Sequence, residues 1–283
     1  MNRTEDRMEN KKELTRLLIY LGFAFVLAWL VFFVFILTGH TWDYSSQDLQ
    51  QLSGPDASSQ NLQQLVGLGM LAPVIAQVLT RKITKEGFAM TGRDSMMLGI
   101  SFRDRKWIYF VIAVLLPWIY TELGNGITIF LCPDLFDSGY YKTLGVEKGM
   151  TFIQPASAMV SGVFVSFAAF GEEGGWRGYM MPKLLKFMNS GKAMIVGGII
   201  LTYVTEKSGS IWPAAILHAV NNAGPGILSM YMNFGKVSGT WGENMAPWMG
   251  RMISAAIFAI FCFAAYTASG RAVSSHFPKA DHA

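Results

Sequence analysis

Charge is scarce in this chain. Asp, Glu, Lys and Arg make up 15% of its 283 residues, against 52% hydrophobic, a balance that a soluble domain of this length does not show. Net charge is only +4, and short loops account for it, so no patch is left over for a nucleic acid partner. Cysteine is almost missing: Cys132 and Cys262 stand alone, which argues against a disulfide and gives no metal-ligand spacing. Of the four histidines, His40 lies in a polar loop and His276 and His282 on a polar tail, which leaves His218 in an apolar setting. The 17 methionines are scattered through apolar segments and read as packing material, not as a copper site.

What the chain has in abundance is long apolar runs. Leu17 to Gly39 carries no charge, and at about 1.5 Å per residue it crosses a hydrocarbon core of about 30 Å. It is too long for the apolar part of a secretory signal, and Gly39-His40-Thr41-Trp42 offers no small-x-small cleavage site, so it is read as a retained transmembrane helix. Further spans are predicted at 61–80, 107–131, 152–171, 210–232 and 252–270. The expected fold class is therefore all-α, a polytopic transmembrane helical bundle of about six full spans plus one truncated or re-entrant helix. Pro73 and Pro117 fall inside spans, which lipid-embedded helices tolerate.

Lys and Arg set the orientation. Lys11, Lys12 and Arg16 precede the first span, the 40–60 loop has no basic residue, and Arg81, Lys82, Lys85, Arg93, Arg103, Arg105 and Lys106 crowd between the second and third spans. The positive-inside rule then predicts a cytoplasmic N-terminal segment at 1–16, a membrane domain at 17–270 and a cytoplasmic tail at 271–283. On this reading Glu172, Glu173 and Arg177 lie at the cytoplasmic end of the fourth span. The segment Ala193 to Val204 breaks the pattern, because a dozen residues reach only about 18 Å as a helix. It is expected to be the stump of a longer helical hairpin or a re-entrant loop turning at Gly197-Gly198.

Ionisable residues at membrane depth are costly and mark candidate sites. Phe170-Gly-Glu-Glu-Gly-Gly-Trp-Arg-Gly-Tyr179 places Glu173 four residues before Arg177, a favourable helical pair. Glu172 points about a quarter turn away from that pairing. One acid can be held by arginine while its neighbour does proton chemistry, or all three form an interfacial charge cluster. In Ser208-Gly-Ser-Ile-Trp-Pro-Ala-Ala-Ile-Leu-His-Ala-Val-Asn-Asn222, Ser210 suits an N-cap and Pro213 a first turn. His218 and Asn222 then share a helical face, with Asn221 close by. They can polarise a carbonyl, hold a water or join a metal site, or they bond neighbouring helices together. Glu122 and Asn125 in the third span either line the same cavity or fill a helix contact.

Together, Glu172-Glu173-x-x-x-Arg177 followed by His218-x-x-x-Asn222 resembles the CPBP (CAAX protease and bacteriocin-processing) family of intramembrane endopeptidases, related to the type II CAAX prenyl endopeptidase. The likeness covers about Phe152 to Ile227. It implies a bacterial plasma-membrane enzyme that hydrolyses a membrane-associated peptide, prenylated and CAAX-like or a leader, in a cytoplasm-facing cavity. By that resemblance Glu172 is general base on a water, Arg177 orients Glu172 and Glu173, and His218 with Asn222 stabilises the oxyanion. A zinc or other divalent ion held by Glu172 and His218 is the other chemistry that the resemblance allows.

The chain departs from the family pattern at one place. A further Phe-x-x-x-His is expected on a helix between the two motifs, but Phe187 is followed by Gly191, and Lys192 to Ser208 contains no histidine. The gap coincides with the short segment, so about one hairpin is read as absent and activity as impaired, since losing an acid-base partner removes at least about two orders of magnitude in rate. A non-catalytic descendant that grips membrane peptides, as an immunity protein does, is the alternative. A small ion-binding transporter ranks third, because no internal repeat or paired broken helices are found.

Overall fold

In the computed structural model of the protein, residues 3–37, 69–92, 95–164, 166–224, 226–239 and 241–276 are described. Among them the structure is helical, apart from one isolated bridge between Phe136 and Met232. The principal helices are α1 (Arg3–Leu37), α2 (Ala72–Thr84), α3 (Trp107–Leu131), α4 (Met150–Phe164), α5 (Ser166–Gly175), α6 (Met181–Phe187), α7 (Ser190–Gly197), α8 (Ile199–Ser208), α9 (Trp212–Asn222) and α10 (Trp241–His276). They divide between two compact units. One comprises Met1–Ile100, Phe167–Asn189 and Gly209–Ile211, the other Ser101–Ser166, Ser190–Ser208 and Trp212–Ala283.

Among the described residues, three stretches are long and apolar enough to cross a bilayer: Met8–Val31, Trp107–Leu131 and Trp248–Ala268. The protein is thus an integral membrane protein with spans where the first, third and last were expected. Phe25, Val26, Trp29, Leu30 and Phe33 of α1 are exposed, as a lipid-facing surface requires. The other three expected spans are not confirmed as membrane-length helices among the described residues. Residues 61–68 lie outside the described ones, and α2 begins only at Ala72 with Pro73 in its first turn, where a missing N–H costs nothing. The 152–171 run is helical in α4 and α5, on either side of residue 165, which lies outside the described residues. The 210–232 run stops being helical at Asn222, because Gly224 takes a left-handed conformation (φ 60°) that closes a helix. The short segment behaves as its length demands: α7 and α8 have 8 and 10 residues and are separated at Gly198, φ 82°.

In the first unit, α5 runs through a π-helical turn, Trp176–Met180, into α6. Gly171, Gly174, Gly175 and Gly178 recur along one face at helical spacing, which lets backbones approach closely. A Cβ at Gly171 would sit 2.5 Å from the Met70 carbonyl oxygen, and one at Gly175 2.6 Å from that of Pro73. Below this contact, Tyr20 of α1 is fully buried with Leu17, Ala24, Ala76, Tyr179 and Met180; its ring meets Trp176 edge-on at 6.0 Å and Tyr179 at 4.9 Å.

In the second unit, α3 is the common support for α9 and α10. Ala113, Leu116, Ile200, Leu217 and Ala265 form its core. Gly124 lets α10 approach to within 3.2 Å of a would-be Cβ at Ser254 Cα, and Gly162 does the same for Val220 of α9 at 3.0 Å. A smaller cluster, Cys132, Leu135, Met232 and Val237, is tied by Asp137, whose oxygens accept from Gly139 N at 2.9 Å and Asn233 Nδ2 at 3.1 Å. Neither cysteine forms a disulfide.

Candidate active site

The acidic motif sits where α5 passes into the π turn. A π turn adds a residue per turn, and such bulges recur at functional sites; here it carries Arg177. The glycine face turned to α2 leaves the acids and arginine on other faces of the helix. Arg177 Nη1 lies 3.0 Å from each oxygen of the Glu173 carboxylate, and Glu173 is completely buried. Glu172 is half-buried. The spacing therefore closes as an ion pair in which Arg177 serves Glu173.

The histidine motif belongs to α9 in the other unit. Pro213 falls in its first turn, and Ala214, Ala215, Leu217, Ala219 and Val220 are buried. His218 is half-buried, while Asn221 and Asn222 are exposed at the helix end. His218 and Asn222 are four residues apart in one continuous helix, hence on one face. Asn221 Oδ1 accepts a short hydrogen bond from the Tyr120 hydroxyl of α3, so this asparagine joins two helices. Each motif is thus intact within its own unit.

Glu122 fills a helix contact. Its carboxylate accepts from Trp118 Nε1 at 3.1 Å, from Leu228 N at 3.1 Å, and from Ile227 N. The surroundings are apolar, with Leu115, Trp118, Ile119, Ile227 and Leu228 lining a cavity beside it.

A second charged cluster, next to the acid-bearing helix, escaped the sequence reading. Lys183 of α6 bonds Glu13 Oε2 of α1 at 2.7 Å and also Glu86; Arg16 bonds Glu13 and stands 3.7 Å from Glu86; Lys186 reaches Glu13 at 3.5 Å. The Tyr179 hydroxyl donates to Glu86 Oε1 at 2.6 Å, and Arg81, over the Tyr179 ring at 5.2 Å, donates to Ser95 O at 2.8 Å. Burial raises the Glu86 pKa, but Lys183, Thr84 and Tyr179 outweigh it and bring it down to about 2. Burial and the Glu86 charge push the Tyr179 phenol up. Charges this buried are tolerated only when fully paired. Nothing in the i, i+4 logic of helices could have found pairs so far apart in sequence. The glycine face was legible, since four glycines at 171, 174, 175 and 178 form a small-residue stripe.

Residues 192–224, which hold most of α7, all of α8 and the His218 motif, match the family model "Type II CAAX prenyl endopeptidase Rce1-like". No curated protein and no solved structure matches the chain. The matched stretch contains the second of the two motifs on which the family resemblance rests.

Proposed function

We propose that this protein, similar to the type II CAAX prenyl endopeptidases over the His218 helix, is an intramembrane endopeptidase that hydrolyses a peptide bond of a membrane-associated peptide, prenylated and CAAX-like or a leader. Its working end faces the cytoplasm, as the distribution of Lys and Arg favours. The observation that carries the reading is the contrast between adjacent acids: Glu173 is buried against Arg177, while Glu172, next to it on the helix, is half-buried.

In the proposed step Glu172 takes a proton from a water whose oxygen attacks the scissile carbonyl carbon. His218, donating an N–H, and the Asn222 carboxamide stabilise the oxyanion as it forms. The carbon–nitrogen bond then breaks, and the proton held by Glu172 passes to the leaving amine. Arg177 acts at one remove. Its positive charge beside Glu173 offsets the repulsion that a second carboxylate would impose on Glu172.

A zinc ion held by Glu172 and His218 fits less well. Glu172 and His218 alone supply two donors, where a catalytic zinc usually takes three protein ligands. No step is therefore assigned to a metal. With no histidine between Phe187 and His218 to share proton transfer, turnover is expected to be at least about a hundredfold slower than with a full set.

The test is cleavage of a membrane-tethered peptide library by the protein in proteoliposomes. Product from the wild type and none from Glu172→Ala supports the reading. Equal product from both refutes it.

A further inference from the structure

We infer that Tyr120 and Glu122 of α3 are positioning residues that clamp the carboxamide-bearing end of α9 and so set the reach of Asn222. The role of Asn222 rests on the hydrolase reading above; the clamp itself does not. The backbone ends α9 with two local bonds, Ala223 N to Ala219 O at 2.9 Å and Gly224 N to Asn221 O at 3.1 Å, and Gly224 turns left-handed. A left-handed glycine ends a helix, and Pro225 after it narrows the directions the chain can take without selecting one. Something outside the helix must choose one.

The anchors on both sides of that turn come from α3. Before it, the Tyr120 hydroxyl donates to Asn221 Oδ1, in the last turn of α9. After it, Glu122 accepts from the backbone N–H groups of Ile227 and Leu228 at the start of the 3₁₀ turn Leu228–Tyr231. Those are donors that a helix start cannot satisfy internally. Trp118 Nε1, one helical turn back on α3, donates to the same carboxylate at 3.1 Å and fixes its rotamer. A carboxylate beside Leu115, Ile119 and Leu228 is costly unless several donors meet it, and here three do. Asn222 lies between the two anchored points. Its side chain, four residues after His218, keeps its register only while both anchors hold.

The protein in nanodiscs, labelled with ¹⁵N-asparagine, tests this through side-chain amide spectra, hydrogen exchange and cleavage kinetics on the tethered peptide. Glu122→Ala is expected to move the Asn222 amide resonances and speed exchange at Ile227 and Leu228. It should lower kcat about 10- to 100-fold, as small misplacements do, with KM changed by no more than about twofold. Glu122→Gln keeps one acceptor oxygen and should recover part of each effect, which also covers the case that Glu122→Ala does not fold. Tyr120→Phe should move the Asn221 resonances with a smaller loss of kcat. Unmoved resonances and exchange in the folded variants overturn the clamp, even with cleavage intact. A loss confined to KM overturns it as well. If the wild type yields no product while resonances and exchange respond as expected, the clamp stands and the hydrolase reading fails.

Discussion

Arg177 Nη1 stands 3.0 Å from both oxygens of Glu173, one turn back on the same helix, and Glu173 has no exposed surface. Removing one partner leaves the other charge buried without this pairing. Arg177→Met is therefore expected to cost about 3–5 kcal/mol, and the double variant Glu173→Gln with Arg177→Met to regain most of it. Denaturation of the detergent-solubilised protein checks this; a double variant as unstable as Arg177→Met would show that the pair is not the cause.

The glycine face of α5 gives a second expectation. A Cβ at Gly175 would meet the Pro73 carbonyl oxygen at 2.6 Å and carbonyl carbon at 2.5 Å, and backbone does not yield as a flexible side chain does. Gly175→Ala should destabilise by about 1–3 kcal/mol or more. Gly22→Ala in α1, with nothing within 4 Å, should be neutral or stabilise by up to about 1 kcal/mol. Thermal unfolding of the two variants side by side decides it.

Acid should weaken the first unit in a defined window. Glu86 has its pKa lowered from 4.5 to about 2 by Lys183, Thr84 and Tyr179, against the opposing effect of burial. A depressed carboxylate contributes stability that is whole above the unfolded value, about 4.5, and is lost as pH falls through about 2. Stability measured over that range should fall in the wild type and fall less steeply in Glu86→Gln. Equal slopes would contradict the assignment.

The sequence disclosed the helical class, three spans and both motifs, because each is local: an uncharged run long enough to cross, Glu173 and Arg177 one turn apart, His218 and Asn222 one turn apart. It overstated the span at 210–232. Hydropathy averages across a break, and the α9 break at Gly224 is a matter of one backbone angle, not of polarity. The Gly198 break was legible from two adjacent glycines combined with insufficient length. The cluster joining Glu13, Glu86 and Lys183 was invisible for a different reason: charges near a first span read as orientation signals, and only folding brings the three side chains together. Glu122 was correctly seen as expensive, but its partners are backbone amides of Ile227 and Leu228, which carry no sequence signature.

Chelation separates the two chemistries that the donor set allows. On the metal-free step proposed above, peptide cleavage is expected to survive prolonged treatment with EDTA or 1,10-phenanthroline. Loss of activity that added zinc restores would place a metal in the reaction and assign Glu172 and His218 to it as ligands.

The central proposal is that Glu172 and His218 serve one reaction, Glu172 as base on the attacking water and His218 at the oxyanion, and a kinetic double-mutant cycle tests it most directly. Glu172→Gln and His218→Ala are each expected to lower kcat for the tethered peptide by about 10²–10⁴. The double variant should be no slower than the worse single one, as for groups that work as a unit. Losses that multiply, or a Glu172→Gln protein as active as the wild type, would contradict it.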